Sequence, residues 1–241
     1  MSLNPLDTVN GIFSLIFVAI SLFVGVIILS KYFRYKERIY LMVGATWIFI
    51  SCPWWSSSLS FLVALSNGVG ITPEAYFTIG NILIPCAIIL WLLAFTEFLY
   101  TEKRKLILLV FALYGSIFEI LFFAFLFINP NLIGDLNPPV DVRYNSFIMI
   151  FLISFLAIVV ITGFLFANLS LKSKDPEVKI KGKLLVIAYI TFSFGAVLDS
   201  AIPLNEVTII ITRLILIISA ICWYGGFLLP KWMKKYLLRS K

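Results

Sequence analysis

The sequence contains no histidine, and only 13% of its 241 residues are charged. Without imidazole, the chain lacks the commonest metal ligand and the usual base of a catalytic serine. A soluble domain typically has about 25% charged residues, so little of this chain can form a water-facing surface. We therefore expect no enzyme, no metal or other cofactor and no nucleic-acid partner, although the net charge is +7.

Cysteine is also scarce, and its placement gives no indication of a disulfide framework. Cys52, Cys86 and Cys222 all lie within apolar runs and form no Cys-x-x-Cys pair. A structural disulfide or zinc site would place cysteines in loops or at ligand spacing. We expect these three side chains to pack as small hydrophobic groups.

Apolar residues dominate the composition, at 61% of the chain. A helix needs about 20 apolar residues to cross a bilayer. Seven runs of roughly that length are present, at about 11–30, 39–65, 74–100, 106–128, 144–171, 184–204 and 207–230. The first run should remain as an anchor, because no basic residue precedes it as in a signal peptide. The sequence therefore predicts an all-α membrane protein, a single seven-transmembrane-helix bundle over residues 1–241 in the cell membrane.

The basic residues predict how this bundle is oriented. All lysines and arginines except Arg143 and Arg213 lie in alternate connectors or in the tail, within 31–38, 103–105, 172–183 and 231–241. Positive residues favour the cytoplasmic side, which places the N-terminus outside and the C-terminus in the cytoplasm. The same residues predict contact with anionic lipid headgroups. The longest connector, 129–143, lies on the outer side and is rich in turn-forming residues.

Ionisable and polar side chains within the runs are the candidate functional residues, because they are costly inside a bilayer. At the helical rise of 1.5 Å per residue, Arg213 lies about 9 Å deep from the outer side, Glu119 about 13 Å and Asp199 about 6 Å. We expect Arg213 to face inward and pair with Asp199, Glu119 or both. The candidate ligand-binding set in the outer half is Trp54, Trp55, Ser57, Asn81, Glu119, Asp199 and Arg213.

Two interpretations of this set remain open. The side chains either line a pocket for a small-molecule or lipid ligand, or only clamp helices together at about 0.6 kcal/mol each. A small-solute or lipid transporter or channel would need a polar path to the cytoplasm, yet the inner half offers only Glu97 and Asn168, near its boundary. A retinal protein would need a lysine in its last span, where none precedes Lys231.

Several blocks resemble a known module. KSKDPEVKIKGKLLVIAYITFSFGAVLDS and RLILIISAICWYGGFLLPKWMKK resemble the last three spans of the seven-helix sensory module at the N-terminus of many prokaryotic histidine kinases. WLLAFTEFLYTEKRKLILL is similar to the third and fourth spans of that module, which also has stand-alone archaeal versions. The resemblance implies a receptor- or sensor-like protein with an outside N-terminus. Because no kinase or cyclase precedes Lys241, we expect a separate cytoplasmic signalling partner. A homo-oligomer is also compatible with the sequence.

The predicted orientation can be tested by side-specific labelling. Cysteines introduced at Asn137 and Ser173 should react with a membrane-impermeant maleimide from opposite sides of intact cells, because 129–143 and 172–183 lie on opposite sides of the bilayer. The parent chain, whose cysteines all lie in apolar runs, is the control. Labelling of both positions from the same side would refute this topology.

Overall fold

The computed structural model describes residues 3–201 and 205–238. Residues 202–204 of the sixth apolar run, and Arg239 and Lys241 of the basic tail, lie outside these ranges. The described chain forms the helices α1 (Pro5–Tyr35), α2 (Arg38–Ile50), α3 (Pro53–Asn67), α4 (Pro73–Asn81), α5 (Ile84–Phe98), α6 (Arg104–Ile128), α7 (Ser146–Leu171), α8 (Pro176–Ala201), α9 (Glu206–Leu228) and α10 (Lys231–Leu238).

Most of these helices are long and apolar enough to cross a membrane. Six described stretches meet that condition: Pro5–Tyr35, Pro73–Phe98, Thr101–Ile128, Ser146–Leu171, Pro176–Ser200 and Glu206–Leu228. The pair α2 and α3 also meets it, but with a bend of 54°, and gives a seventh stretch if it is one span. The predicted all-α fold of apolar, membrane-length helices is therefore confirmed, and it is compatible with a multi-pass protein in a lipid bilayer.

The second apolar run is two helices rather than one, because it is broken before Pro53. Proline lacks an N–H and cannot continue α2, but its fixed φ suits the first turn of α3. The Ser56 hydroxyl donates to the Pro53 carbonyl oxygen at 2.8 Å, which further satisfies this turn. Helix α3 therefore begins at Pro53, and the side chain of the next residue, Trp54, is buried inside the bundle.

The connector 129–143 contains a β-hairpin that the turn-rich sequence did not predict. Strands β1 (Gly134–Asn137) and β2 (Asp141–Tyr144) pair antiparallel, with Gly134 opposite Tyr144. The fifth long helix consequently starts at Ser146, after the strand, and not at residue 144. We call the end of the bundle that carries this hairpin the hairpin end. The opposite end, with the connectors near residues 36, 101–105 and 172–175 and with α10, is the basic end.

Helix α1 packs closely against α2 and α3 through glycines. A Cβ at Gly44 would lie 2.7 Å from the Gly25 carbonyl oxygen, and one at Gly11 would overlap the Phe61 ring. Small residues of this kind allow apolar helices to approach at backbone distance. The approach at Gly11 fixes the start of α1, including Asn10, next to α3.

Aromatic side chains fill the middle of the bundle. The Trp47 and Trp223 rings stack at 4.8 Å between centroids, and Tyr189 lies 5.5 Å from Trp223. Trp91 packs against Trp223 at 5.8 Å, and its indole N–H donates to the Thr162 hydroxyl at 2.7 Å. We call Trp47, Trp91, Tyr189, Phe192 and Trp223 the aromatic layer. The aromatic layer connects α2, α5, α8 and α9. Each pair of contacting rings stabilises the fold by about 0.5–1.5 kcal/mol beyond the contribution of the buried area.

Candidate functional site

Arg213 of α9 is inside the bundle near the hairpin end, with only 2% of its surface exposed. Its Nη1 forms an ion pair with Oδ1 of Asp199, which α8 presents from the neighbouring helix. Asp199 lies two residues before Ala201, where α8 ends, and Arg213 lies seven residues after Glu206, where α9 begins, so consecutive helices bring opposite charges together near their facing ends. The predicted pairing of Arg213 with Asp199 is confirmed.

Two neutral side chains of α1 complete the surroundings of the guanidinium. Arg213 Nη2 donates to Asn10 Oδ1 at 3.0 Å, and Nε donates to Ser14 Oγ at 3.3 Å. Asn10 and Ser14 are themselves buried and lie 3.3 Å apart through their side-chain oxygens. The sequence analysis missed both residues. The sequence did contain a pattern that could have identified them, because two polar residues four positions apart lie on the same face of an apolar helix.

Trp54 of α3 joins the same group from the opposite side of Asp199. Its indole N–H donates to Asp199 Oδ2 at 3.0 Å, so both carboxylate oxygens are hydrogen-bonded. The Arg213 guanidinium carbon also lies 5.9 Å from the Trp54 ring centroid, within cation–π range. We call Asn10, Ser14, Trp54, Asp199 and Arg213 the Arg213 cluster. It links α1, α3, α8 and α9 around one buried ion pair.

The hairpin contributes a further carboxyl group near this cluster. Burial raises the pKa of Asp141, in β2, above its ordinary value, and the nearby charge of Asp199 raises that pKa further. The positive charge of Arg213 acts in the opposite direction. Asp141 was not among the predicted site residues, because the sequence did not show that residues 141–144 fold back over the bundle.

Ser57 and Asn81 lie in a separate group that holds the hairpin on the bundle. The hydroxyl oxygens of Ser57 and Tyr76 lie 2.6 Å apart, and each is 3.0 Å from the Val140 carbonyl oxygen. The Asn81 amide donates to the Tyr144 hydroxyl at 3.2 Å. These two predicted site residues therefore anchor the hairpin and are not part of the Arg213 cluster.

The other two predicted site residues lie elsewhere. The Trp55 indole N–H donates to Ser51 Oγ at 3.1 Å, across the break between α2 and α3. Glu119 does not pair with Arg213, so that alternative for the arginine partner is wrong. The physical reason is helix placement, since α6 packs on α5 whereas α9 packs on α1 and α8. Glu119 and Arg213 were predicted at similar depths, but they lie on different sides of the bundle.

The Arg213 cluster is largely enclosed, since its members are buried except for Asp199, whose side chain is 17% exposed. Two cavities of the described residues lie elsewhere. One is a void of about 10 Å³ within the aromatic layer, and the other is an open groove of about 530 Å³ beside Leu6 and residues 205–208. A ligand that reached Arg213 would have to compete with Asp199 for the guanidinium.

The chain matches no family model and no curated protein.

The ion pair predicts a strong and specific mutational coupling. Arg213→Leu should lower the free energy of unfolding by about 3–5 kcal/mol, because Asp199, whose side chain is only 17% exposed, then loses its partner. The double variant Arg213→Leu/Asp199→Asn should recover most of that loss. Thermal unfolding in detergent, followed by tryptophan fluorescence, measures both effects.

Two matched variants test whether the coupling is specific. Arg143→Leu removes an exposed arginine of β2 and should leave unfolding nearly unchanged. Arg213→Leu/Glu119→Gln should recover none of the stability lost in Arg213→Leu, because Glu119 lies in another part of the bundle. If Arg213→Leu is as thermostable as the parent, the ion pair is not a clamp.

Proposed function

We propose that this chain is a receptor- or sensor-like protein with seven spans in the cell membrane. In this proposal the Arg213 cluster is the input site, the N-terminus lies outside, and the basic end faces a separate cytoplasmic signalling partner. The observation that carries the proposal is the buried Arg213–Asp199 ion pair, which ties four helices together beneath the hairpin. The resemblance of the blocks at 172–200 and 213–235 to a seven-helix sensory module agrees with it.

A buried ion pair can act as a switch because its two states differ strongly in energy. An anionic group of a small molecule or lipid that binds Arg213 would release Asp199 and weaken its contact with Trp54. Such a ligand shifts a conformational equilibrium only by its differential affinity for the two states. The Arg213–Asp199 ion pair can supply this difference in affinity, because a charge left unpaired in this site costs several kcal/mol.

Aromatic contacts connect the Arg213 cluster with the basic end. Trp54 lies 6.0 Å from Phe192 between ring centroids, and Phe192 lies 5.6 Å from Trp47. Trp47 stacks on Trp223, which packs at 5.1 Å against Phe227 in the last turn of α9. A packed series of this kind can carry a displacement of Trp54 to the start of α10.

The same aromatic layer is the reason to prefer a receptor over a transporter or channel. A transporter would need polar groups along a path from the Arg213 cluster to the basic end. Trp47, Tyr189 and Trp223 occupy that path, and the void among them is small, about 10 Å³, with mostly apolar walls.

Helix α10 provides the surface that contacts lipid at the basic end in this proposal. Its lysines, Lys231, Lys234 and Lys235, are exposed together with Trp232, whereas Met233 is buried against the end of α9. Lys234 also forms an ion pair with Glu177 at the start of α8. Lysines next to an exposed aromatic ring are typical of helices that lie on an anionic membrane surface.

Amide hydrogen exchange tests the proposed coupling between the two ends. Asp199→Asn removes the charge of the ion pair with almost no change in shape. We expect exchange to increase at least about threefold at 172–176 and 229–238, because the aromatic contacts transmit the loosening of Trp54. The double variant Asp199→Asn/Trp47→Leu should still show faster hydrogen exchange near the hairpin. At the basic end, its exchange should be no faster than in the parent.

Asp135→Asn is the matched control, since Asp135 is an exposed hairpin aspartate outside the Arg213 cluster. It should alter exchange only near the hairpin. If Asp199→Asn also changes exchange only at the hairpin end, the input-site proposal is wrong.

The lipid contact of α10 gives a separate prediction. A peptide of residues 229–241 should bind vesicles that contain anionic lipid, and replacing Lys231, Lys234 and Lys235 with glutamine should weaken binding by about 3 kcal/mol in total. Centrifugation with vesicles at low and high salt measures this. Binding that is insensitive to both charge removal and salt contradicts the electrostatic contact.

A further inference from the structure

Glu119 is a carboxylate that the described residues leave without a partner. Both of its oxygens are shielded from the surface, and neither accepts a hydrogen bond within the described chain. The ion pairs of the described residues involve other acidic groups, Asp199 and Glu177. An isolated carboxylate shielded from water is costly, so Glu119 must either bind a proton or have its charge balanced by a cation.

Asn81 supplies a second unpartnered acceptor. Its side chain is 0% exposed, and its amide nitrogen donates to the Phe77 carbonyl and to the Tyr144 hydroxyl. The Oδ1 atom of the same amide has no hydrogen-bond partner among the described residues. Buried amide oxygens are rarely left unpaired, so this atom also points to a missing partner.

The break between α4 and α5 provides further oxygen atoms, from the backbone, next to the Asn81 side chain. α4 ends at Asn81 and α5 begins at Ile84, with Pro85 in its first turn. Because Pro85 has no N–H, the Asn81 carbonyl cannot receive the usual helical hydrogen bond from four residues ahead. Carbonyl oxygens at such helix breaks are the groups that coordinate cations in other membrane proteins.

Close helix packing brings Glu119 to this break. A Cβ at Gly115 of α6 would lie 2.9 Å from Pro85 Cβ, so α6 crosses α5 there at backbone distance. Glu119 is one turn, about 6 Å, further toward the hairpin end. Since α6 and α4–α5 run in opposite directions, that turn is at the level of Asn81, which lies one turn before Pro85. Cys52, whose thiol donates to the Gly80 carbonyl, also interacts electrostatically with Glu119.

We propose that Glu119, with Asn81 and the backbone oxygens of the α4–α5 break, binds a sodium ion. The unpartnered side-chain atoms at this place, both Glu119 oxygens and the Asn81 Oδ1, are oxygen acceptors, which hard cations prefer. One carboxylate neutralises one monovalent charge, whereas a divalent ion would leave a net positive charge in an apolar site. The site is separate from the Arg213 cluster and does not depend on the proposed receptor function.

Thermal unfolding and direct sodium binding test this proposal on the purified full chain. At pH 8 and constant ionic strength, replacing choline chloride with 300 mM sodium chloride should raise the Tm of the parent by about 3 °C or more, since a ligand that binds only the folded state stabilises it. Radioactive sodium should bind at about one ion per chain. A parent that binds no sodium and shows no shift overturns the proposal.

Two isosteric variants locate the effect. Glu119→Gln keeps the size of the side chain and removes its charge, and it should abolish both the Tm shift and sodium binding. Glu97→Gln, a half-buried carboxylate of α5 near the basic end, is the matched control and should keep both. Sodium binding that persists in Glu119→Gln, or that is lost in Glu97→Gln, contradicts the assignment.

Discussion

A buried guanidinium group must find all its partners within the protein, and Arg213 does so from three directions. Asp199 supplies the opposite charge, while Asn10 and Ser14 accept hydrogen bonds from Nη2 and Nε of Arg213. Trp54 then fixes the second carboxylate oxygen of Asp199. Because loss of one partner would leave a mostly enclosed charge uncompensated, this ion pair constrains the relative positions of α1, α3, α8 and α9 near the hairpin end.

The rest of the bundle is arranged so that this polar group stays enclosed. The hairpin is held by the Val140 carbonyl, which lies against the hydroxyls of Ser57 and Tyr76. Between the ion pair and the basic end, the rings of Trp47 and Trp223 stack at 4.8 Å between centroids. Polar interactions thus specify one end of the bundle, while aromatic packing connects it to the other.

The sequence predicted the parts of this structure that follow from composition and charge. Apolar runs predicted the long helices, and two opposite charges at one depth in consecutive runs predicted the pairing of Arg213 with Asp199. Depth alone could not predict that Glu119 lies elsewhere, since the face of a helix that meets a neighbour depends on packing. The hairpin was missed because its four-residue strands have little alternation of apolar and polar residues, and because tertiary contacts at Val140 and Tyr144 hold it in place.

Nuclear magnetic resonance of arginine side chains tests the central claim most directly. With ¹⁵N-labelled arginine, a guanidinium held by Asp199, Asn10 and Ser14 should give separate Nη signals and slow exchange with water, unlike a freely rotating group. We expect one such arginine, absent from the spectrum of Arg213→Lys and averaged in that of Asp199→Asn. Rapid rotation and exchange of Arg213 in the parent protein would contradict the buried ion pair.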